Sequence, residues 1–246
     1  MNWKKIVSAA CVSALGIAAA PASHAQAMST ATLSGFSYTL TDLDPNDGVT
    51  PNLTLTAPDY WIATAVYPDG SGSPNPVDII HQPGFSNVST AAGNAIATYD
   101  GVNAWSIVML NEHAPQFASN VINQWHFALT QNTAVTFTSY GAIHAEHAGD
   151  LTTDAYTQLF AAYLDSPSAP NETYLSDSLY AYYGLDQSRE LNVTLSSGAS
   201  QLDGRVGFST AAYGQSIPAP VPEPATYAML IGGLFAIGYA KRRTRA

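Results

Sequence analysis

The chain of 246 residues is 46% hydrophobic but only 11% charged, so its polar surface must come from Ser, Thr, Asn and Gln. Between Met28 and Ile217 the only basic residues are Arg189 and Arg205, while all eighteen acidic residues except Glu223 fall there. That negative body repels phosphate backbones, which excludes nucleic acid as a partner.

The head reads Met1-Asn2-Trp3-Lys4-Lys5, then an apolar run over 6–20, then Pro21-Ala22-Ser23-His24-Ala25-Gln26-Ala27. A short basic region, an apolar core and small residues before a cut are the three parts of a secretory signal. Residues 1–27 are therefore expected to direct export through the Sec machinery, with cleavage after Ala25 or Ala27. The single Cys11 lies in the apolar run. A body freed of it has no thiol and no disulfide, and must be held together by burial.

Over residues 32–214 the apolar positions recur with period two. Phe36, Tyr38 and Leu40 alternate with Ser37, Thr39 and Thr41; Leu53 and Leu55 alternate with Thr54 and Thr56. Trp125, Phe127 and Leu129 lead through Thr130-Gln131-Asn132-Thr133 to Val135 and Phe137, which predicts a hairpin with a two-residue turn. Leu191, Val193 and Leu195, then Val206 and Phe208, continue the pattern, and further strands are expected at 60–66, 77–81, 103–110 and 179–183. Asp47-Gly48, Asp69-Gly70, Asp100-Gly101 and Asp203-Gly204 suit tight turns that need positive φ. Tyr156, Leu159, Phe160, Tyr163 and Leu164 also fit a helical face capped by Asp154, but their neighbours favour a strand. The body, residues 28–214, thus reads as one all-β antiparallel domain, a β-sandwich or jelly-roll-like fold.

Candidates for chemistry in this body are few. Asp42, Asp44, Asn46 and Asp47 gather oxygens suited to Ca²⁺, yet an EF-hand loop needs Gly in sixth and Glu in twelfth place, where Asp47 and Leu53 stand. The competing reading is a turn whose Asp and Asn side chains cap backbone amides. His144 and His147 lie beside Glu146 and Asp150, but residues three apart on a strand face opposite sides and do not share a metal without a bend. His81, His113 and His126 are scattered. The body has no Gly-x-Ser-x-Gly, no cysteine and no lysine, so no catalytic group is assigned and no enzyme, cofactor or metal is expected. Trp61, Trp105 and Trp125 suit either a sugar-stacking platform or a sandwich core; Trp105 and Trp125 share parity with apolar neighbours, which favours the core. Acceptor patterns at Asn52, Asn87, Asn171 and Asn192 match chance in so Asn-, Ser- and Thr-rich a chain.

The tail opens with a Pro-rich linker over 215–224, Pro218-Ala219-Pro220-Val221-Pro222-Glu223-Pro224, whose alternate prolines favour an extended chain. Residues 225–240 carry no charge; as a helix they span roughly 24 Å, a little short of the ~30 Å hydrocarbon core. Lys241, Arg242, Arg243 and Arg245 follow as a cytoplasmic stop, so 225–246 reads as a single transmembrane helix with a basic tail. Gly232, Ala236 and Ala240, spaced by four, form a small-residue face on it. Val-Pro-Glu-Pro-Ala-Thr-Tyr-Ala-Met-Leu, then Gly-Gly-Leu, an apolar stretch and Lys-Arg-Arg closely resembles the PEP-CTERM sorting signal. The segments Leu40-Thr41-Asp42-Leu43-Asp44-Pro45-Asn46-Asp47-Gly48-Val49-Thr50-Pro51 and Phe127-Ala128-Leu129-Thr130-Gln131-Asn132-Thr133-Ala134-Val135-Thr136-Phe137 resemble segments of uncharacterised proteins of that group.

The resemblance implies processing by an exosortase, a membrane protease, near Val221, Pro222, Glu223 and Pro224. It also implies a Gram-negative host that makes extracellular polysaccharide. The expected function is an exported surface or extracellular-matrix protein, associated with biofilm or exopolysaccharide. Its precursor is anchored in the inner membrane, facing the periplasm. The rival is a carbohydrate-binding, lectin-like surface module, and behind it a secreted hydrolase.

Overall fold

The computed structural model describes residues 26–217 apart from 57, 69–72, 76, 112 and 165–171. Fourteen strands and no helix lie among the described residues. They begin with β1 (Ala27–Asp42), β2 (Leu53–Leu55), β3 (Asp59–Tyr67), β4 (Val77–Ile80) and β5 (Gly84–Thr90). Next come β6 (Gly93–Tyr99), β7 (Ala104–Leu110), β8 (Gln116–Leu129), β9 (Thr133–Ala145) and β10 (His147–Ala148). The series closes with β11 (Leu151–Tyr163), β12 (Thr173–Tyr182), β13 (Asp186–Ser196) and β14 (Leu202–Ser216).

One sheet has six strands in the order β13-β9-β1-β7-β6-β5. The other runs β10-β11-β14-β8-β3-β4, with β12 also paired to β11 and β2 to β8. Every pairing is antiparallel. Period-two alternation gives each sheet one apolar face, and the two faces stack as a β-sandwich. The stretch over 154–164 with helical spacing is strand β11, because its alternate residues Ala155, Leu159 and Ala161 are wholly buried.

Aromatic rings join the sheets. Phe36 from β1 stacks on Trp125 from β8 with centroids 4.7 Å apart, and lies 6.1 Å from Phe137 of β9. Trp125 meets Phe208 of β14 edge-on at 5.8 Å. A second apolar cluster, including Val66, Val108, Leu110, Phe117 and Leu151, fills the opposite end. Inside the sandwich Asn123 Nδ2 donates to the Tyr99 hydroxyl (2.7 Å), which donates to Gly101 O (2.8 Å), while Asn123 Oδ1 is buried without a partner. The Ser106 and Thr210 hydroxyls meet at 2.9 Å.

A bulge in β1 decides which of its side chains reach this core. Ala27, Ser29, Ala31 and Leu33 point inward, but the register with β9 slips between Ser34 and Ser37. Gly35, at φ +66°, takes the extra residue, so that Phe36 and Leu40 pack inward beyond it.

Two expected turns are corrected. β8 and β9 do not form a hairpin, since β8 lies in the eight-stranded sheet and β9 in the six-stranded one. The link at Thr130–Asn132 crosses between sheets, and its amides bond to other loops: Thr130 N–H to Asn52 O (3.0 Å) and Asn132 N–H to Gly198 O (2.8 Å). This lets Phe127 and Phe137 meet across the core at 6.1 Å. Asp203-Gly204 lies inside β14, where Gly204 is needed for closeness: a Cβ there would sit 2.5 Å from Ala162 O and 2.7 Å from the Phe127 ring. Asp47-Gly48 and Asp100-Gly101 are turns as expected, with both glycines at positive φ; Asp69-Gly70 lies outside the described residues.

Phe208→Ala, which opens a cavity between the sheets, is expected to cost ~3–5 kcal/mol in denaturant unfolding. Phe85→Ala, at a side chain 56% exposed, should change stability by less than ~0.5 kcal/mol in the same experiment.

Candidate functional site

The acidic loop caps itself. Asp42 Oδ1 accepts from Asp44 N–H (3.0 Å), Asp44 Oδ1 from Asn46 N–H (3.2 Å) and Asp47 Oδ1 from Val49 N–H (2.7 Å). Asn132 Nδ2 donates to the other Asp47 oxygen at 2.7 Å, and this bond holds the Asp47 carboxyl below the usual carboxylate range. The carboxylates thus serve the turn at the sandwich end. The His/acid cluster is divided by strand parity. His144 contacts Asp186 through Nδ1 and Glu146 through Nε2 (3.2 Å), and Glu146 in turn accepts the Met28 N–H (2.9 Å). His147 instead bonds Leu151 O (3.0 Å), and Asp150 lies 3.7 Å from His113. No group of three or more such side chains among the described residues is placed to hold a metal.

The three tryptophans go to three places. Trp125 is in the core stack. Trp105, expected there too, is on the outer face of the six-stranded sheet. The inward residues of β7 are Ala104, Ser106, Val108 and Leu110, and Trp105 pairs across with Thr32 and Thr98. Its apolar parity partners Ile107 and Met109 share that outer face, which is why parity misled. Trp61 is on the outer face of the eight-stranded sheet, 39% exposed. Asn171 and the tail residues Val221, Pro222, Glu223, Pro224, Lys241, Arg242, Arg243 and Arg245 lie outside the described residues. No helix among the described residues is long and apolar enough to cross a membrane.

Around Trp61 the registers assemble a trough. Its outward residues form cross-strand rows: Tyr182, Asp154, Tyr213, Ala118 and Ala65; then Tyr180, Tyr156, Ala211, Asn120 and Ala63. The next row is Ser178, Gln158, Ser209, Ile122 and Trp61, followed by Ser176, Phe160, Gly207, Gln124 and Asp59. Ala211, Ser209 and Gly207 of β14, Ala118 of β8 and Ala63 and Ala65 of β3 keep parts of the middle low, with Tyr213, Asn120, Ile122 and Gln124 between them, while tyrosines rise from β11 and β12 on one side and Trp61 on the other. With strands ~4.8 Å apart, three spacings put the β11 and β3 walls about 14 Å apart. No described strand lies over this face.

The tyrosine wall consists of two ring clusters with Ser178 and Gln158 between them. Tyr156 and Tyr180 have centroids 5.9 Å apart, Tyr180 and Tyr182 3.9 Å, and Tyr174 stacks on Phe160 at 5.7 Å. Phe160 lies against Gly207, where a Cβ would come 2.8 Å from its ring and 2.3 Å from Asn123 O. Burial pushes the Tyr156 phenol up to about 12 and raises Tyr180 and Tyr213 as well, so all three stay protonated donors. Burial likewise raises the Asp154 carboxyl. The Asn120 Oδ1 is sealed from solvent and has no hydrogen-bond partner. At one end lies a cleft of about 390 Å³ bordered by His126, Tyr163, Glu172 and Arg205, where Arg205 Nη2 donates to Glu172 Oε2 at 2.6 Å. The sequence offered the tyrosines but not their convergence, which needs the β11–β12 and β11–β14 registers.

The His144 contacts generate a pH prediction. The bond to Asp186 raises the imidazole above its ordinary 6.5, against a smaller opposing effect of burial. Its stabilisation is complete below ~6.5 and fades as pH rises through the higher native value. Thermal melts should therefore show His144→Gln losing more stability at about pH 5.5 than at about pH 8.5.

No family model matches the chain, and no curated protein matches it. Among solved structures it is similar to a carbohydrate-binding module from the β-sandwich superfamily, at 11% identity, covering 76% of this chain and 96% of that one with a TM-score of 0.14. It is also similar to the N-terminal CBM22-1–CBM22-2 tandem domain of Xyn10C from Paenibacillus barcinonensis, at 9% identity, covering 80% and 75% of the two chains with a TM-score of 0.14. Likeness at that level carries no argument about function.

Proposed function

We propose that this is an exported, non-catalytic surface or matrix protein that associates with extracellular polysaccharide through the outer face of its eight-stranded sheet. The observation that supports the reading is the outer face between Trp61 and the tyrosine wall, with no described strand over it. Aromatic faces offer apolar area to the C–H faces of sugar rings, while Gln124, Gln158 and Asp154 reach their hydroxyls. Delivery is assigned to the two ends: Sec export by residues 1–27, and exosortase processing at Pro222-Glu223-Pro224 while the helix at 225–240 holds the precursor in the inner membrane.

Trp61→Ala and Tyr156→Ala should each weaken retardation in polysaccharide-containing gels about tenfold, as expected for truncating a buried aromatic anchor. Trp105→Ala, on the opposite sheet, should leave it unchanged. Retardation lost equally in all three would reject the face. In the native envelope, replacing Pro222, Glu223 and Pro224 by Ala should leave only uncut chain by mass spectrometry, whereas normal processing would reject the motif's assigned role.

A further inference from the structure

We infer that the trough selects an uncharged, hydroxyl-rich polysaccharide over a polyuronate; the inference rests on the reading of this face as a glycan site. The polar groups of the face are the reason. An anionic sugar needs a cation to offset its desolvation, and the body has only Arg189 and Arg205. Both are engaged: Arg189 Nη1 with Asp177 Oδ2 at 2.7 Å, Arg205 with Glu172 at 2.6 Å. The trough itself holds Asp154 and Asp59, which repel a carboxylate.

A hydroxyl, by contrast, finds what it needs. The Asp154 carboxyl accepts a hydrogen bond, and the Tyr156, Tyr180 and Tyr213 hydroxyls offer one. Gln124 and Gln158 do both, as a sugar hydroxyl does.

The test uses the full chain in mild detergent with EDTA, run through gels holding an uncharged glucan, a polyuronate or a deacetylated amino-glycan. The uncharged glucan alone is expected to retard it, with little change on raising salt to ~0.5 M, because the contacts are not ionic. Trp61→Ala should weaken that retardation about tenfold and Gln124→Ala by several-fold, with both variants keeping the parent melting temperature within a few degrees. Stronger retardation by the polyuronate or the amino-glycan, abolished by Trp61→Ala, would overturn the selectivity while leaving the glycan site standing. No retardation by any of the three would overturn the glycan site itself. A Trp61-dependent dimer in sedimentation without retardation would also overturn it, making the face a contact between two copies.

Discussion

The ring stack of Phe36, Trp125, Phe137 and Phe208 is where the two sheets are held to each other. With no cysteine beyond position 11, no cross-link shares that task. Ion pairs add little, being exposed, although Arg189 to Asp177 does join β13 to β12 across the open side of the sandwich. Everything outward follows from satisfying this interior first. Once Phe127, Val206 and Phe208 are turned inward, Arg205, Gly207, Ser209, Ala211 and Tyr213 have no choice but to line the opposite face.

That coupling makes the trough a by-product of packing that the sequence then exploits. Gly207 permits Phe160 to lie flat on the sheet, and Ala211 and Ala118 keep the middle strands low. Tyr174, Tyr180 and Tyr182 of β12 with Tyr156 and Phe160 of β11 supply height at one side. The result is amphipathic relief on a surface that carries little charge, with the phenols kept protonated by their own crowding.

Period-two alternation made the fold class readable, because Leu191-Val193-Leu195 and Phe127-Leu129 bury one face each. The strands over 84–99 escaped notice because β6 buries Ala95, Ala97 and Gly93, which barely register as apolar. The early halves of β1 and β8 hid likewise behind Ser29, Ala31, Ser119 and Asn123, polar or small residues that only a partner sheet can bury. Thr130-Gln131-Asn132-Thr133 has hairpin chemistry, yet turn residues specify a local bend and not which sheet the next strand joins. Trp105 illustrates the same limit for the candidate site: an apolar alternation names a face, but both faces of β7 are largely apolar, and the buried one carries Ala104, Ser106, Val108 and Leu110. The trough was invisible because its residues come from five strands that meet only through long-range registers.

Those registers bear on how the chain closes. β1 lies between β7 and β9, so that Ala27 waits for Leu110 and Ser29 for Ala145, while β14 must reach back to β8. Pairings of such long reach make folding slow. A nascent fragment lacking the later strands has nothing with which to zip its first strand shut. Under the export proposed above, such late closure would keep the chain narrow enough to thread a translocon before the two halves of the sandwich meet.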